Sequence, residues 1–134
     1  MPVIDASLYI ALINANDPDH PISWAWFRAL RRTGQSLLAP VTLLAEVSAT
    51  ISEGVGDPQL ALRAVRQIEE ASLIDLIPVT LTLATRAAVI AAECGIRSCA
   101  AIYVALAESR HENLVTLDMQ LLERAVAVVE TQRP

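Results

Sequence analysis

The chain contains no lysine, two cysteines, four glycines and five aromatic residues (one Phe, two Trp, two Tyr) among its 134 residues. Each shortage excludes something. With no lysine, every one of the ten basic side chains is arginine, and fifteen acids leave a net charge of −5. That balance argues against bulk electrostatic binding of nucleic acid, whose footprint is basic. It leaves room for local RNA contact by clustered arginines. Cys94 and Cys99 stand five apart, which matches neither a CxxC redox pair nor a zinc-ligand spacing. A reduced, cytoplasmic protein is the expectation. Long apolar runs are missing too. The longest uncharged stretch, Thr33 to Ala45, is 13 residues, whereas a membrane-spanning helix needs roughly 20 apolar ones. Residues 1–4 carry no Lys or Arg and Asp5 follows at once, so no secretory n-region is expected.

What is present is apolar: 54% of the residues. That is enough for one buried core, and the length suits a single domain over 1–134. β-like and helix-like segments alternate along it. Val3-Ile4 is a short β-branched run. Leu37 to Ala39, Leu73 to Val79, Asn113 to Leu117 and Val126 to Val129 read as four further strands. Helical patterns lie between them at 7–15, 21–32, 42–53, 59–72, 82–94, 98–108 and 119–125. Buried strands separated by helices predict an α/β fold with a mainly parallel central sheet of about five strands.

In such sheets ligands bind beyond the carboxyl ends of the strands. Asp5 ends the first strand and Asp118 follows the fourth. An N-cap role explains either acid equally well. Glu46 is different, because capping does not explain an acid inside the apolar run Leu43-Leu44-Ala45-Glu46-Val47. Its helical period points it partly inward, and a buried carboxylate is costly unless paired or metal-bound. Acids converging at one sheet edge call for a divalent cation, and oxygen-only ligands suit Mg²⁺ or Mn²⁺.

Two other phosphate chemistries fail on residue type. A receiver-like phosphoacceptor needs adjacent acids after the first strand and a late lysine, but Ala6 follows Asp5 and lysine is absent. A haloacid-dehalogenase-type site needs a second acid where Ser7 stands. Gly54-Val-Gly56 is not a dinucleotide loop, because Gln59 occupies the third glycine position.

The segments Val-Ile-Asp5-Ala-Ser, Ala45-Glu46-Val47, Ala101-Ile-Tyr-Val-Ala-Leu-Ala107 and Leu114-Val-Thr-Leu-Asp118 occur in an order that resembles PIN-domain ribonucleases, and most closely the VapC-type toxins of toxin–antitoxin pairs. The resemblance runs over nearly the whole chain. It implies a metal-dependent endoribonuclease in which Asp5, Glu46 and Asp118 match family acids and Thr116 matches a hydroxyl two residues before the last acid. Asp5 and Asp118 would be metal ligands. A cognate antitoxin and a homodimer are also implied, and no membrane. One position departs from the pattern: Ala100 stands where the family carries an aspartate at the start of a helix. This implies a weakened or inactive nuclease; the alternative is a non-catalytic PIN-fold module that binds RNA or an antitoxin.

Arg97, just before that helix, is the arginine best placed to hold an RNA phosphate, ahead of Arg28, Arg31 and Arg32. His20 and His111 are too far apart in sequence to suggest a metal pair, and His20 is expected to be a solvated turn residue. Trp24, Trp26 and Phe27 cannot all face one core stripe. Trp26 is expected to be the exposed one, and the resemblance makes this region a partner groove.

Overall fold

The computed structural model describes the backbone of all 134 residues and every side chain except that of Ser98. Five strands form one sheet in the order β3-β2-β1-β4-β5, and all four pairings are parallel. They are β1 (Val3–Ile4), β2 (Leu37–Pro40), β3 (Ile74–Ile77), β4 (Leu114–Val115) and β5 (Thr131–Gln132). Seven helices connect them: α1 (Ala6–Ile13), α2 (His20–Arg32), α3 (Leu43–Val55), α4 (Pro58–Glu70), α5 (Leu81–Cys94), α6 (Ser98–Arg110) and α7 (Met119–Ala125).

The chain leaves β1 towards β2 on one side and later lays β4 on the other. The strand order therefore reverses between β1 and β4, which is where an open α/β sheet forms its crevice. Val3 pairs with both Leu38 and Leu114, and Ile4 with Val115. These β1 and β4 residues are fully buried.

Local chemistry sets the ends of the helices. Asp5, Asp57, Thr80 and Asp118 cap α1, α4, α5 and α7 through side-chain oxygens that accept first-turn N–H groups, which satisfies donors that a helix start leaves open. Gly56 and Gly95 close α3 and α5 in the left-handed conformation (φ 72° and 64°), which costs glycine least. α6 is apolar almost all round. Ala101 and the run Tyr103 to Ala107 are buried where the helix packs on β2, β1 and β4. Such a helix belongs in a core. No single helix among the described residues is long and apolar enough to cross a membrane.

Three expectations need correction. The fifth strand is not Val126 to Val129. That apolar run closes α7, with Val128 and Val129 N–H both donating to the Ala125 carbonyl, and β5 is the polar pair Thr131–Gln132 beside Leu114 and Val115. The exposed tryptophan is Trp24, not Trp26, which packs with Phe27 against the core. His20 is not a free turn residue. It opens α2, its Nδ1 lies 2.7 Å from the Ala11 carbonyl, and its ring stacks on Trp24.

Candidate active site

At the carboxyl ends of β1 and β4 lies a cleft of about 390 Å³, lined among others by Asp5, Asp17, Asp19, Glu46, Asp118 and Tyr103. Ala100 also lines it. Asp5, Glu46, Asp118 and position 100 thus share one cleft. Thr116 stands directly behind it. Arg97 does not enter it.

Asp5 is 6% exposed and fully engaged. Its Oδ1 accepts from Ser7 Oγ at 2.8 Å and from Leu8 N at 3.2 Å. Its Oδ2 accepts from Thr116 Oγ1 at 2.6 Å. Thr116 Oγ1 in turn accepts from the Asp118 N–H at 3.0 Å, and Ser7 Oγ from the Leu117 N–H at 3.2 Å. These bonds stitch the end of β1 to the end of β4. Burial still pushes the Asp5 carboxyl above its ordinary value. The bonds from Thr116, Ser7 and Leu8 oppose that shift, and the nearby Asp118 charge adds to it.

Asp118 is exposed at the cleft rim. One of its oxygens, Oδ1, caps α7 by accepting from Gln120 N at 2.9 Å and Leu121 N at 3.1 Å.

Glu46, in the first turn of α3, is only partly exposed, and its Oε1 is buried with no hydrogen-bond partner among the described residues. Burial raises its pKa. The neighbouring Tyr103 hydroxyl draws it back, and the Asp5 charge raises it further. Tyr103 is fully buried, and its Oη also lacks a partner meeting hydrogen-bond geometry. Its pKa is pushed far up by burial and by the Glu46 charge.

The sequence patterns give Asp17 and Asp19 no place at the site. The α1–α2 connection brings both onto the cleft wall. Asp17 Oδ1 accepts from the Asp19 N–H at 2.8 Å, and Arg133 Nη2 donates to Asp19 Oδ1 at 3.2 Å. Among the described residues, this is the only ion pair made by any of the five cleft acids. Tyr103 and Ser7 were likewise not singled out. Both lie inside the motif segments, but nothing in a sequence tells which way a hydroxyl points.

Oxygen donors alone, several of them mutually repelling, suit a hard cation. Among the described residues, no three acidic, cysteine or histidine side chains close on a single point as a complete metal cage would.

The PIN domain family model matches residues 3–127. No curated protein matches by sequence. Solved structures match over almost the whole chain at low identity. VapC20 of Mycobacterium tuberculosis, described as a toxin cleaving the sarcin–ricin loop, is 20% identical, with all of both chains covered and a TM-score of 0.78. A chain of VapBC2 from Rickettsia felis, solved with a DNA fragment from its promoter, is 12% identical, with 98% of this chain and 97% of that chain covered and a TM-score of 0.74. A chain of FitAcB from Neisseria gonorrhoeae is 14% identical, with 98% and 96% covered and a TM-score of 0.72.

Proposed function

We infer that this chain, which belongs to the PIN domain family, is a metal-dependent endoribonuclease toxin of the VapC type, weakened at Ala100 and paired with an antitoxin. The observation that carries the reading is Glu46 Oε1. It is a buried, unpartnered carboxylate oxygen in a cleft it shares with Asp5 and Asp118. Even with the Tyr103 hydroxyl nearby, an oxygen in that state has room for a counter-charge.

Asp5 and Asp118 are the residues to hold Mg²⁺ or Mn²⁺. Mg²⁺ commonly keeps several waters and takes only one or two carboxylates, so the lack of a closed three-acid cage is compatible with it. Bound there, the cation would lower the pKa of a water and offset charge building on the phosphate. The other roles belong to the chain itself. Thr116 and Ser7 fix the Asp5 carboxylate by donating to its two oxygens. Glu46, whose charged form burial disfavours, is suited to take the proton of the attacking water on Oε1. Arg97, the N-cap of α6, stands three residues before Ala100, ready for an RNA phosphate.

The partner reading rests on a second surface. An apolar groove runs between α1, α2 and α4, lined by Ile13, Trp24, Phe27 and Leu73, and continues past Ile51 and Leu60. This is where the antitoxin would dock. A homodimer belongs to the same proposal, as the family resemblance implies, and light scattering at tens of micromolar (roughly the range where a weak dimer still forms) tests it.

Ala100 favours one alternative: a PIN module that binds RNA or antitoxin without cutting. The deciding experiment is cleavage of a mixed RNA pool, with and without EDTA, by the natural chain and Ala100→Asp. Restoring a carboxylate ligand is worth a few kcal/mol of cation binding, roughly tens- to thousands-fold in affinity. Ala100→Asp is therefore expected to cut in an EDTA-sensitive way, and the unmodified chain slowly or not at all. Equal rates would refute the four-acid model. No cleavage by either protein with any divalent metal would favour the binding module.

A further inference from the structure

Next to the acidic cleft is a second depression, in which two arginines outnumber one aspartate. It is lined by Gly95, Arg97, Ala100, Asp118, Gln120 and Arg124. It shares Ala100 and Asp118 with the cleft, so the two hollows meet across those residues. Neither Arg97 nor Arg124 makes an ion pair among the described residues. Two guanidinium groups and the single Asp118 carboxylate leave the hollow with an excess of positive charge, which favours a further anion.

Arg124 is held in place. Its Nη1 donates to the Gly95 carbonyl, at the point where Gly95 ends α5 in the left-handed conformation. A Cβ on residue 95 would lie 3.5 Å from that nitrogen. One donor of the guanidinium is thus spent on anchoring, and the fork as a whole is oriented before any ligand arrives. Arg97, at the N-cap of α6, supplies the second guanidinium.

We propose that Arg97 and Arg124 form a phosphate subsite that seats the backbone phosphate of the RNA next to the one in the acidic cleft. This rests on the nuclease reading above and extends it by adding Arg124 and a second point of contact. The hollow is small, about 20 Å³, scarcely more than the roughly 10–15 Å³ that a single water requires. It admits a phosphate oxygen and excludes a base. The subsite therefore positions the strand and carries no sequence information. Any preference for particular bases must arise elsewhere on the surface.

The test is binding, which does not require an active enzyme. A fluorescein-labelled, mixed-sequence single-stranded 12-mer RNA is titrated by anisotropy in EDTA over a range of salt. The proteins are the natural chain, Arg124→Gln, Arg97→Gln and, as a control, Arg110→Gln, which lies at the far end of α6. Each of the first two changes should weaken binding several-fold. Each should also flatten the plot of log affinity against log salt by about 0.7, the contribution of one neutralised phosphate on a single strand. The loss should be the same for a second RNA of unrelated sequence. Arg110→Gln should change neither quantity. Because Arg124→Gln also removes the bond to Gly95, melting is measured in parallel, and Arg97→Gln serves as the variant without that complication. RNA binding by the natural chain with unchanged affinity and slope in both variants would overturn the subsite and leave the nuclease reading standing. A natural chain that binds no RNA at all would remove the nuclease reading, and the subsite with it. A sequence-dependent loss would mean the arginines read bases, contrary to the proposal.

Discussion

The two walls of the cleft are built differently. On the β1/β4 wall, Asp5, Ser7 and Thr116 use their oxygens on each other and on backbone N–H groups, and Asp118 commits one oxygen to a helix cap. On the α3/α6 wall, Glu46 Oε1 and Tyr103 Oη are buried and unpartnered. The first wall is a finished hydrogen-bond network that holds the fold together. The second has unused capacity. A cation would meet the carboxylates of the first wall already oriented, with one Asp118 oxygen outside the helix cap, whereas a hydrogen-bonding ligand gains most at the second, since an unmet buried polar group carries its full desolvation cost.

The largest test breaks the wired wall. Thr116→Val keeps the shape but turns a methyl towards Asp5 Oδ2. The carboxylate then loses its shortest bond while staying buried. A loss of about 2 kcal/mol is expected, on the order of 8 °C in melting temperature for a domain of this size. A shift under one degree would mean that Asp5 does not depend on this bond.

A smaller effect is expected from Glu46→Gln, and its pH dependence is the informative part. The Glu46 pKa is raised in the folded state from the ordinary 4.5, so the folded protein holds a proton that the unfolded chain releases. Stability linked to this group is fully present below the unfolded pKa and is lost as pH rises through the folded one. Glu46→Gln, which stays neutral, should therefore melt higher than the natural chain at pH 7, and the gap should close near pH 4. A constant gap across that window would show that the Glu46 charge is not the cause. Asp5 shifts in the same direction, and because its charge raises the Glu46 pKa, neutralising Glu46 also eases ionisation of Asp5, which widens the gap at pH 7 in the same sense.

The smallest effect belongs to Tyr103→Phe. Removing a hydroxyl that has no partner should leave stability unchanged or raise it by less than about 1 kcal/mol. Thermal melting reads this directly. A loss of about 2 kcal/mol or more would reveal a working bond to Glu46 and erase the contrast between the walls.

Much of this arrangement is legible in the amino-acid order, for physical reasons that also explain the misses. Asp5 and Asp118 stand out because a buried strand that stops at an acid places it at the sheet edge. Glu46 stands out because a charge interrupts an apolar helix face. Asp17 and Asp19 were hidden by their setting. A loop has no period, so nothing in Asp17-Pro18-Asp19 says that it folds back over the cleft. The fifth strand was misplaced because β5 is an edge strand of polar residues, chosen by its register with Leu114 and Val115. The more hydrophobic Val126 to Val129 was the attractive but wrong candidate. Trp24 and Trp26 were exchanged because period alone cannot fix the rotation of α2, which is set by its packing beside α1 and the His20 contact to Ala11.

The two strands that carry the site acids are each only two residues long, and both lie fully buried at the middle of the sheet. Many proteins keep their working residues on segments that open locally. Here Asp5 and Thr116 follow directly on the innermost rungs of the ladder, so parting them means unzipping the centre of the molecule. Amide hydrogens at Ile4 and Val115 should accordingly exchange with solvent only through global opening. The site would then have no partly melted state of its own, and its geometry would persist in denaturant until the whole fold is lost in one transition.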